Sequence, residues 1–204
     1  MVEANNVDEY IAKQRQGLAS NPECGTTHYN LGVALLGKKQ DDEAEKCFLE
    51  AIDCSPSLAE AYVQLGGLCL KRGDLDGCLD WNKRAVKARP GFSEGYGNIG
   101  YVHMQKGELE EAIKNLKRAT AFNFHFVQGF TTLATAYLML GQVDEAIESC
   151  ENALKAEPNF PVAHNNLAIA YLEKGDLEKA KEHAQRAAEL GYEVAPEIMK
   201  EINA

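Results

Sequence analysis

The chain has 204 residues, of which 45% are hydrophobic, and a formal net charge of −10 at pH 7. An acidic surface repels phosphate backbones, so this charge argues against nucleic acid as a partner. The apolar residues are dispersed, and no stretch approaches the roughly 18 consecutive apolar residues of a membrane-spanning helix, so direct membrane insertion is not expected.

The N-terminal residues 1–24 are predicted to contain one helix, over 7–20. The first six residues have neither the basic segment nor the apolar core of a secretory signal, so we expect a cytoplasmic protein. The helix carries an apolar face formed by Tyr10, Ile11 and Leu18, and we expect it to be an unpaired helix. We therefore expect this face to be exposed.

From residue 25 onwards the sequence repeats itself with a period of 34 residues. The five repeats cover 25–58, 59–92, 93–126, 127–160 and 161–192. Three places in the repeat hold only Gly, Ala or Cys: Gly32, Gly66, Gly100, Ala134 and Ala168; Ala44, Cys78, Ala112, Ala146 and Ala180; and Ala51, Ala85, Ala119, Ala153 and Ala187. A period of about 20–50 residues indicates a stacked repeat architecture. Small residues at fixed places indicate close helix crossings, where overpacking costs about 1–3 kcal/mol.

Each repeat is predicted to be a helix, a short turn and an antiparallel helix. In the third repeat, Tyr96, Ile99, Gly100 and His103 share one helical face, and Gly107 can end that helix in the left-handed conformation. The face of the second helix consists of Ala112, Ile113, Leu116 and Ala119. Acidic residues at the start of the second helices suit the positive end of the helix dipole.

Two positions depart from the period. Lys39 stands where the turn glycine belongs in the first repeat, and Phe124 replaces the closing proline of the third, between Phe122 and Phe126. The phenylalanines either pack between neighbouring repeats or serve a function, as an exposed apolar contact patch or a pliable joint, and the sequence leaves both interpretations open.

The C-terminal residues 193–204 are predicted to cap the last repeat. Pro196 can begin a short helix that carries Ile198, Met199 and Ile202.

The six cysteines are Cys24, Cys47, Cys54, Cys69, Cys78 and Cys150, and no two form a C-x-x-C pair. In a reducing cytoplasm we expect free thiols. Cys69, Cys78 and Cys150 occupy places that are apolar or small in the other repeats, so we expect them to be buried as small hydrophobic residues.

Catalytic motifs are missing from the sequence, which has no G-x-S-x-G, P-loop, H-E-x-x-H or G-x-G-x-x-G segment. His28, His103 and His164 stand at places that hold Tyr or Phe in other repeats, and are expected to be packed rings rather than ligands. We expect no catalytic residue, no metal and no cofactor.

The 34-residue repeat, with its small residues, turn glycine and closing proline, resembles the tetratricopeptide repeat (TPR). The resemblance covers residues 25–192 and implies an all-α fold, a right-handed α-solenoid of antiparallel helix–turn–helix units. It also implies a non-catalytic scaffold that binds a peptide or an amphipathic helix of another protein in its concave groove. A cytoplasmic scaffold of this kind can be peripheral to an organelle or membrane complex through its protein partners.

The resemblance implies that the first helix of each repeat lines the groove with its second, fifth, sixth, ninth, twelfth and thirteenth places. Among these places, Glu60, Glu94 and Glu173 are acidic. The partner-binding residues expected there are Tyr29, Asn30, Val33, Gln64, Gly67, Asn98, Tyr101, Thr132, Thr135, Asn166 and Ile169. The sixth place of the repeat is an amide in four of the five repeats, and an amide can pair with both the N–H and the C=O of an extended peptide. An equally weighted interpretation is that asparagine only supports the helix there. The fifth and sixth places contain no Lys or Arg, so we expect no clamp for a C-terminal carboxylate. Phe122, Phe124 and Phe126 are a secondary contact candidate.

An alternative function is self-assembly. The N-terminal helix could dock into the groove of a neighbouring molecule and build homo-oligomers head to tail. In this respect the chain is similar to TPR proteins that coat bacterial organelles such as the magnetosome. The expected partners are therefore other proteins, or further copies of this chain.

Overall fold

The computed structural model describes residues 2–202, so the last two residues of the predicted C-terminal cap lie outside the described part of the chain. The described residues form helices and no strand. The helices are α1 (Val2–Ser20), α2 (Gly25–Gly37), α3 (Asp41–Cys54), α4 (Ala59–Lys71), α5 (Leu75–Ala88), α6 (Ser93–Gln105), α7 (Leu109–Phe122), α8 (Val127–Met139), α9 (Val143–Ala156), α10 (Pro161–Glu173), α11 (Leu177–Glu189) and α12 (Pro196–Ile202).

The helices belong to two compact bodies, an N-terminal body that ends at Gly95 and a C-terminal body that begins at Tyr96. In the N-terminal body, each of the helices α1 to α4 packs against the next one in the chain. In the C-terminal body, α7 to α11 follow the same rule, α8 also contacts α10, and α12 packs on α10 and α11. Stacked antiparallel pairs of this kind make an α-solenoid, so the predicted all-α solenoid fold is confirmed. The division into repeats at the predicted boundaries stays a prediction.

The turns between paired helices use left-handed backbone. The turn glycines Gly73, Gly107, Gly141 and Gly175 have φ between 71° and 78°, which glycine adopts without a steric penalty. Lys39 takes the same conformation, with φ 60°, as the only non-glycine residue of positive φ in the described chain. Its side chain therefore crowds the backbone at the turn between α2 and α3.

The first small place of the repeat faces a large residue of the second helix in the first and third repeats. A Cβ placed on Gly32 would lie 2.6 Å from the Phe48 ring, and one placed on Gly100 would lie 2.5 Å from Cγ of Leu116. Real Cβ atoms do not approach other heavy atoms so closely. Glycine at these two crossings is thus required by the partner that fills the space.

In the last two repeats, the residue of the second helix at this crossing is small, and the first helix carries alanine instead of glycine. The same register pairs Ala134 with Cys150 and Ala168 with Ala184, and each pair lies in one buried cluster. Because the second-helix residue is small here, the first helix carries a methyl group where the earlier repeats carry none. The two residues that face each other at a crossing are therefore matched in size within each of these repeats.

Helix α1 packs against α2 and does not keep its apolar face exposed. Ile11 is only 6% exposed and belongs to a buried cluster with Leu31 and Leu35, and Leu18 packs against the same cluster. The expectation of an exposed face was therefore wrong for Ile11 and Leu18, because α2 covers them. Tyr10 remains 43% exposed.

Candidate partner-binding surface

The N-terminal body contains a cavity of 420 Å³ that opens where α2, α4 and the first turn of α6 come together. Its lining residues are Tyr29, Glu60, Val63, Gln64, Arg89, Pro90, Gly91, Phe92, Ser93 and Glu94. Tyr29 and Gln64 belong to the predicted binding set, and Glu60, Val63 and Glu94 occupy further places expected to face the groove. The structure thus brings residues of three first helices together around one opening.

Tyr29 and Gln64 lie next to each other in the lining of this cavity. Burial, and to a smaller extent the negative charge of Glu60, raise the pKa of the Tyr29 phenol, and the neighbouring Gln64 side chain opposes this shift. Tyr29 also packs against Phe48, with ring centroids 5.9 Å apart. The neutral phenol of Tyr29 on α2 and the amide of Gln64 on α4 therefore lie next to each other.

The charged side of the cavity is organised around Arg89. Its Nη1 donates to Oε1 of Glu60 at 2.7 Å, and its guanidinium carbon lies 4.0 Å from the centroid of the Phe92 ring. Oγ of Ser93 donates to Oε2 of Glu94 at 3.0 Å. Arg89 lies outside every place expected to face the groove, so its contribution was missed. Glu60 and Glu94 hold the second places of the second and third repeats, which are expected to face the groove.

The remaining predicted residues of the N-terminal body lie outside the cavity lining. Val33 is 42% exposed and Asn30 is half-buried. Gly67 is exposed, and a Cβ placed there would meet no atom within 4 Å. Packing therefore does not require glycine at this place, in contrast to Gly32.

In the C-terminal body the predicted residues come together around Asn166, which is 6% exposed. Its Nδ2 donates to the carbonyl oxygen of Thr131 at 3.2 Å and to Oγ1 of Thr135 at 3.1 Å. Oγ1 of Thr132 donates to the carbonyl oxygen of Gln128 at 2.7 Å. Both amide hydrogens of Asn166 thus hold α10 to α8, and the amide can offer a ligand only its Oδ1 acceptor.

Three further predicted residues of the C-terminal body differ in exposure. Tyr101 is 36% exposed, and Asn98 and Ile169 are half-buried. The neighbour of Asn166, Asn165, is buried, and its Oδ1 has no hydrogen-bond partner among the described residues. Tyr101 is therefore the most accessible member of the predicted set in this body.

The phenylalanine segment contains both packed and exposed side chains. Phe122 and Phe124 are 56% and 71% exposed, and Phe122 stacks on Tyr96 with ring centroids 5.6 Å apart. Phe126 instead fills the space above Gly97 and Gly129, where an added Cβ would lie 2.6 Å and 2.5 Å from its ring. Phe126 therefore packs, and the other two present apolar surface.

All six cysteines are free thiols, and Cys69, Cys78 and Cys150 are buried. Burial raises the pKa of Cys78 to about 11 and that of Cys150 to about 12, so both thiols stay protonated at neutral pH. Among the side chains that the structure describes, no group of three or more His, Cys, Asp or Glu residues could hold a metal ion. No helix in the described part of the chain has the length and apolar character to cross a membrane.

Antiparallel helix pairs with fitted small residues at their crossings define a helical-repeat protein. Models described as tetratricopeptide repeat match residues 4–59, 93–125 and 137–193, together more than half of the chain. The chain belongs to the tetratricopeptide repeat proteins. Proteins of this family are in general scaffolds for interactions between proteins.

Solved structures of several TPR proteins are similar to this chain. The crystal structure of MamA is 25% identical, covers 78% of this chain and 94% of its own, and has a TM-score of 0.67. A thermophilic TPR protein in Thermus thermophilus is 26% identical over 88% of this chain and 97% of its own, with a TM-score of 0.64. YrrB, described as a TPR protein with an unusual peptide-binding site, shares the fold at 19% identity, 93% and 96% coverage and a TM-score of 0.68. No curated protein matches the chain by sequence.

Proposed function

We propose that this TPR protein is a non-catalytic scaffold that binds a peptide or an amphipathic helix of a partner protein along its first helices. The cavity of the N-terminal body carries the proposal. It has a volume of 420 Å³, and both Tyr29 and Gln64 line it. Concave sites lined by apolar walls and a few oriented polar groups are the usual form of a binding site.

The N-terminal body offers complementary chemistry to an extended peptide. Gln64 supplies an amide that can pair with a peptide N–H or C=O, and the Tyr29 ring and Val63 supply an apolar wall. Val33 and Gly67 lie on the same first helices, with an exposed side chain and an open backbone. Main-chain hydrogen bonds then provide affinity, and the cavity selects side chains.

In the C-terminal body, the proposed contact uses Tyr101, Ile169 and the Thr132 side of α8. Asn98 and Thr135 complete this surface, and Asn166 contributes mainly by fixing α10 against α8. We place the protein in the cytoplasm, where free thiols persist, and attach it to larger structures only through protein partners.

Self-assembly through α1 is the second candidate. Since α2 covers Ile11 and Leu18, a contact between copies would use the exposed side chains of Val7 and Tyr10, 39% and 43% exposed. The double substitution V7S/Y10S tests it by light scattering: a lower oligomer mass than the wild-type protein supports the candidate, and an identical mass overturns it.

Selection of a displayed library of random twelve-residue peptides on the full chain tests the leading proposal. We expect enriched peptides whose affinity falls about tenfold or more in Y29A/Q64A, since truncation of central contact residues typically costs more than 1 kcal/mol. The matched control K46A/E50A changes two exposed residues of α3 and should leave affinity unchanged. Equal loss in both variants, or no enriched peptide, contradicts the proposal.

A further inference from the structure

The cavity of the N-terminal body carries more negative than positive charge. Among the described residues that line it, only Glu60, Glu94 and Arg89 are charged. The guanidinium of Arg89 is held by Glu60 at 2.7 Å and lies over the ring of Phe92. Glu94 receives a hydrogen bond from the neutral hydroxyl of Ser93. One carboxylate thus faces the cavity without a cationic partner among its lining residues.

Part of the cavity lining is apolar and aromatic. It is formed by the Tyr29 ring, Val63 and Pro90. Lys and Arg side chains combine an apolar stem with a charged head, and a cation is attracted to an aromatic face. A volume of 420 Å³ lies near the lower end of ligand pockets, about 300–1,000 Å³, so it suits one long side chain.

We propose that this cavity binds a Lys or Arg side chain of the partner peptide, with the charged head at Glu94, beside the Glu60–Arg89 pair, and the stem against Tyr29. The inference rests on the proposed function, and it specifies the partner as a basic peptide. A peptide carboxylate is disfavoured, because Arg89 already pairs with Glu60 and the second carboxylate repels an anion. The net charge of −10 favours approach of a basic segment in the same sense.

The peptide library provides the first test. We expect one position of the enriched peptides to be Lys or Arg, and E60Q/E94Q to weaken those peptides about tenfold, as loss of a charge partner does. Peptides with Met in place of that basic residue should bind wild type and E60Q/E94Q equally. The control E50Q/E148Q removes the same net charge at exposed sites outside the cavity and should change affinity less than about twofold.

A direct titration keeps the inference testable without any selected peptide. N-acetylargininamide, followed by ¹H–¹⁵N NMR, should shift the Gln64 side-chain amide and the Gly91 backbone amide. Its neutral analogue N-acetylcitrullinamide should shift neither, and E60Q/E94Q should lose the response. Enriched peptides without a basic position, or an equal response to both probes, overturn the inference alone. Absence of any enriched peptide together with a selective response to the arginine probe overturns the proposed function and not the pocket.

Discussion

Nε2 of His164 lies 3.1 Å from the carbonyl oxygen of Pro158, six residues earlier in the chain. The same relationship joins His28 to Pro22 at 2.8 Å, and Tyr62 to Pro56, where Oη donates at 3.2 Å. A ring at the fourth place of a repeat thus ties the first helix to the proline that precedes it. His164 is buried, as the sequence predicts, and His28 and Tyr62 are half-buried. All three rings also tether the turn before their helix.

The tether is absent before α8, because Phe130 at the fourth place has no donor. The backbone there follows the same path as before α10: the N–H of Phe126 donates to Asn123 O at 3.1 Å, and that of Phe160 to Glu157 O at 3.2 Å. We expect F130Y to place a hydroxyl near the carbonyl of Phe124 and to raise the free energy of unfolding by about 0.5–1.5 kcal/mol. Urea denaturation measures the change, with Y62F as the control that loses a similar amount. A destabilised F130Y contradicts the tether.

The pair His164–His183 predicts acid sensitivity of the C-terminal body. The carbonyl of Pro158 can only accept, so Nε2 of His164 donates to it, and Nδ1 of His164 then accepts from Nδ1 of His183 at 3.0 Å. Burial, and secondly the positive charge of protonated His164, lower the pKa of His183 from its ordinary 6.5; Lys179 lowers it too, and nearby Glu182 and Glu151 oppose the shift.

Because the unfolded chain binds this proton more readily, stability is complete above about pH 6.5 and falls as pH drops toward the lowered pKa of His183. Urea denaturation at pH 7 and pH 5 should show this loss, and H183Q should reduce the difference between the two values. The control H125Q changes an exposed histidine and should keep the wild-type dependence. Equal pH dependence in H183Q and wild type would sink the prediction.

Replacing Lys39 by glycine should stabilise the N-terminal body. The left-handed conformation costs a non-glycine residue about 1–2 kcal/mol, and glycine removes this strain while adding some freedom to the unfolded chain. We expect K39G to raise the free energy of unfolding by about 0.5–1 kcal/mol in urea denaturation. G73A makes the reverse change at φ 78° and should lower it by a similar amount. A stability gain in G73A would contradict the assignment of strain.

Two glycines of the N-terminal body should respond oppositely to alanine. G32A drives a methyl group into the Phe48 ring and should lower the free energy of unfolding by about 1–3 kcal/mol. G67A meets open space and gains helix propensity, so it should raise it by about 0.5–1 kcal/mol. Thermal and urea unfolding of both variants check the contrast. If the double substitution G32A/F48L is no more stable than G32A, the clash is not the cause.

The local sequence pattern was sufficient to predict the helices and the turns between them. The period locates Gly73 and Gly107, because a left-handed turn selects glycine, and it locates the buried Cys78 and Cys150 through their small neighbours in register. The binding set was predictable only in part. Tyr29 on α2 and Gln64 on α4 hold neighbouring groove-facing places, the fifth and the sixth, of successive repeats, so the period brings them together.

Other features depend on contacts that no single repeat encodes. Arg89 reaches Glu60 from the turn that closes the second repeat, so helical spacing does not connect the two residues. Ile11 is buried because α2 presents Leu31 and Leu35 to it, and the sequence of α1 contains no information about that partner. The hydrogen bonding of Asn166 between α10 and α8 likewise depends on Thr135, a residue 31 positions away.

Gly32 is matched in size to Phe48, and Ala168 to Ala184. This matching determines which segments of such a chain can be recombined. A whole repeat that is duplicated or transplanted carries both halves of its crossing and keeps its internal fit. A recombination point in the turn between the two helices separates them. One product then joins an alanine to phenylalanine and clashes, and the other joins glycine to alanine and encloses a void. The repeat is therefore the smallest segment that carries a matched crossing, and a recombination point between repeats leaves every crossing intact.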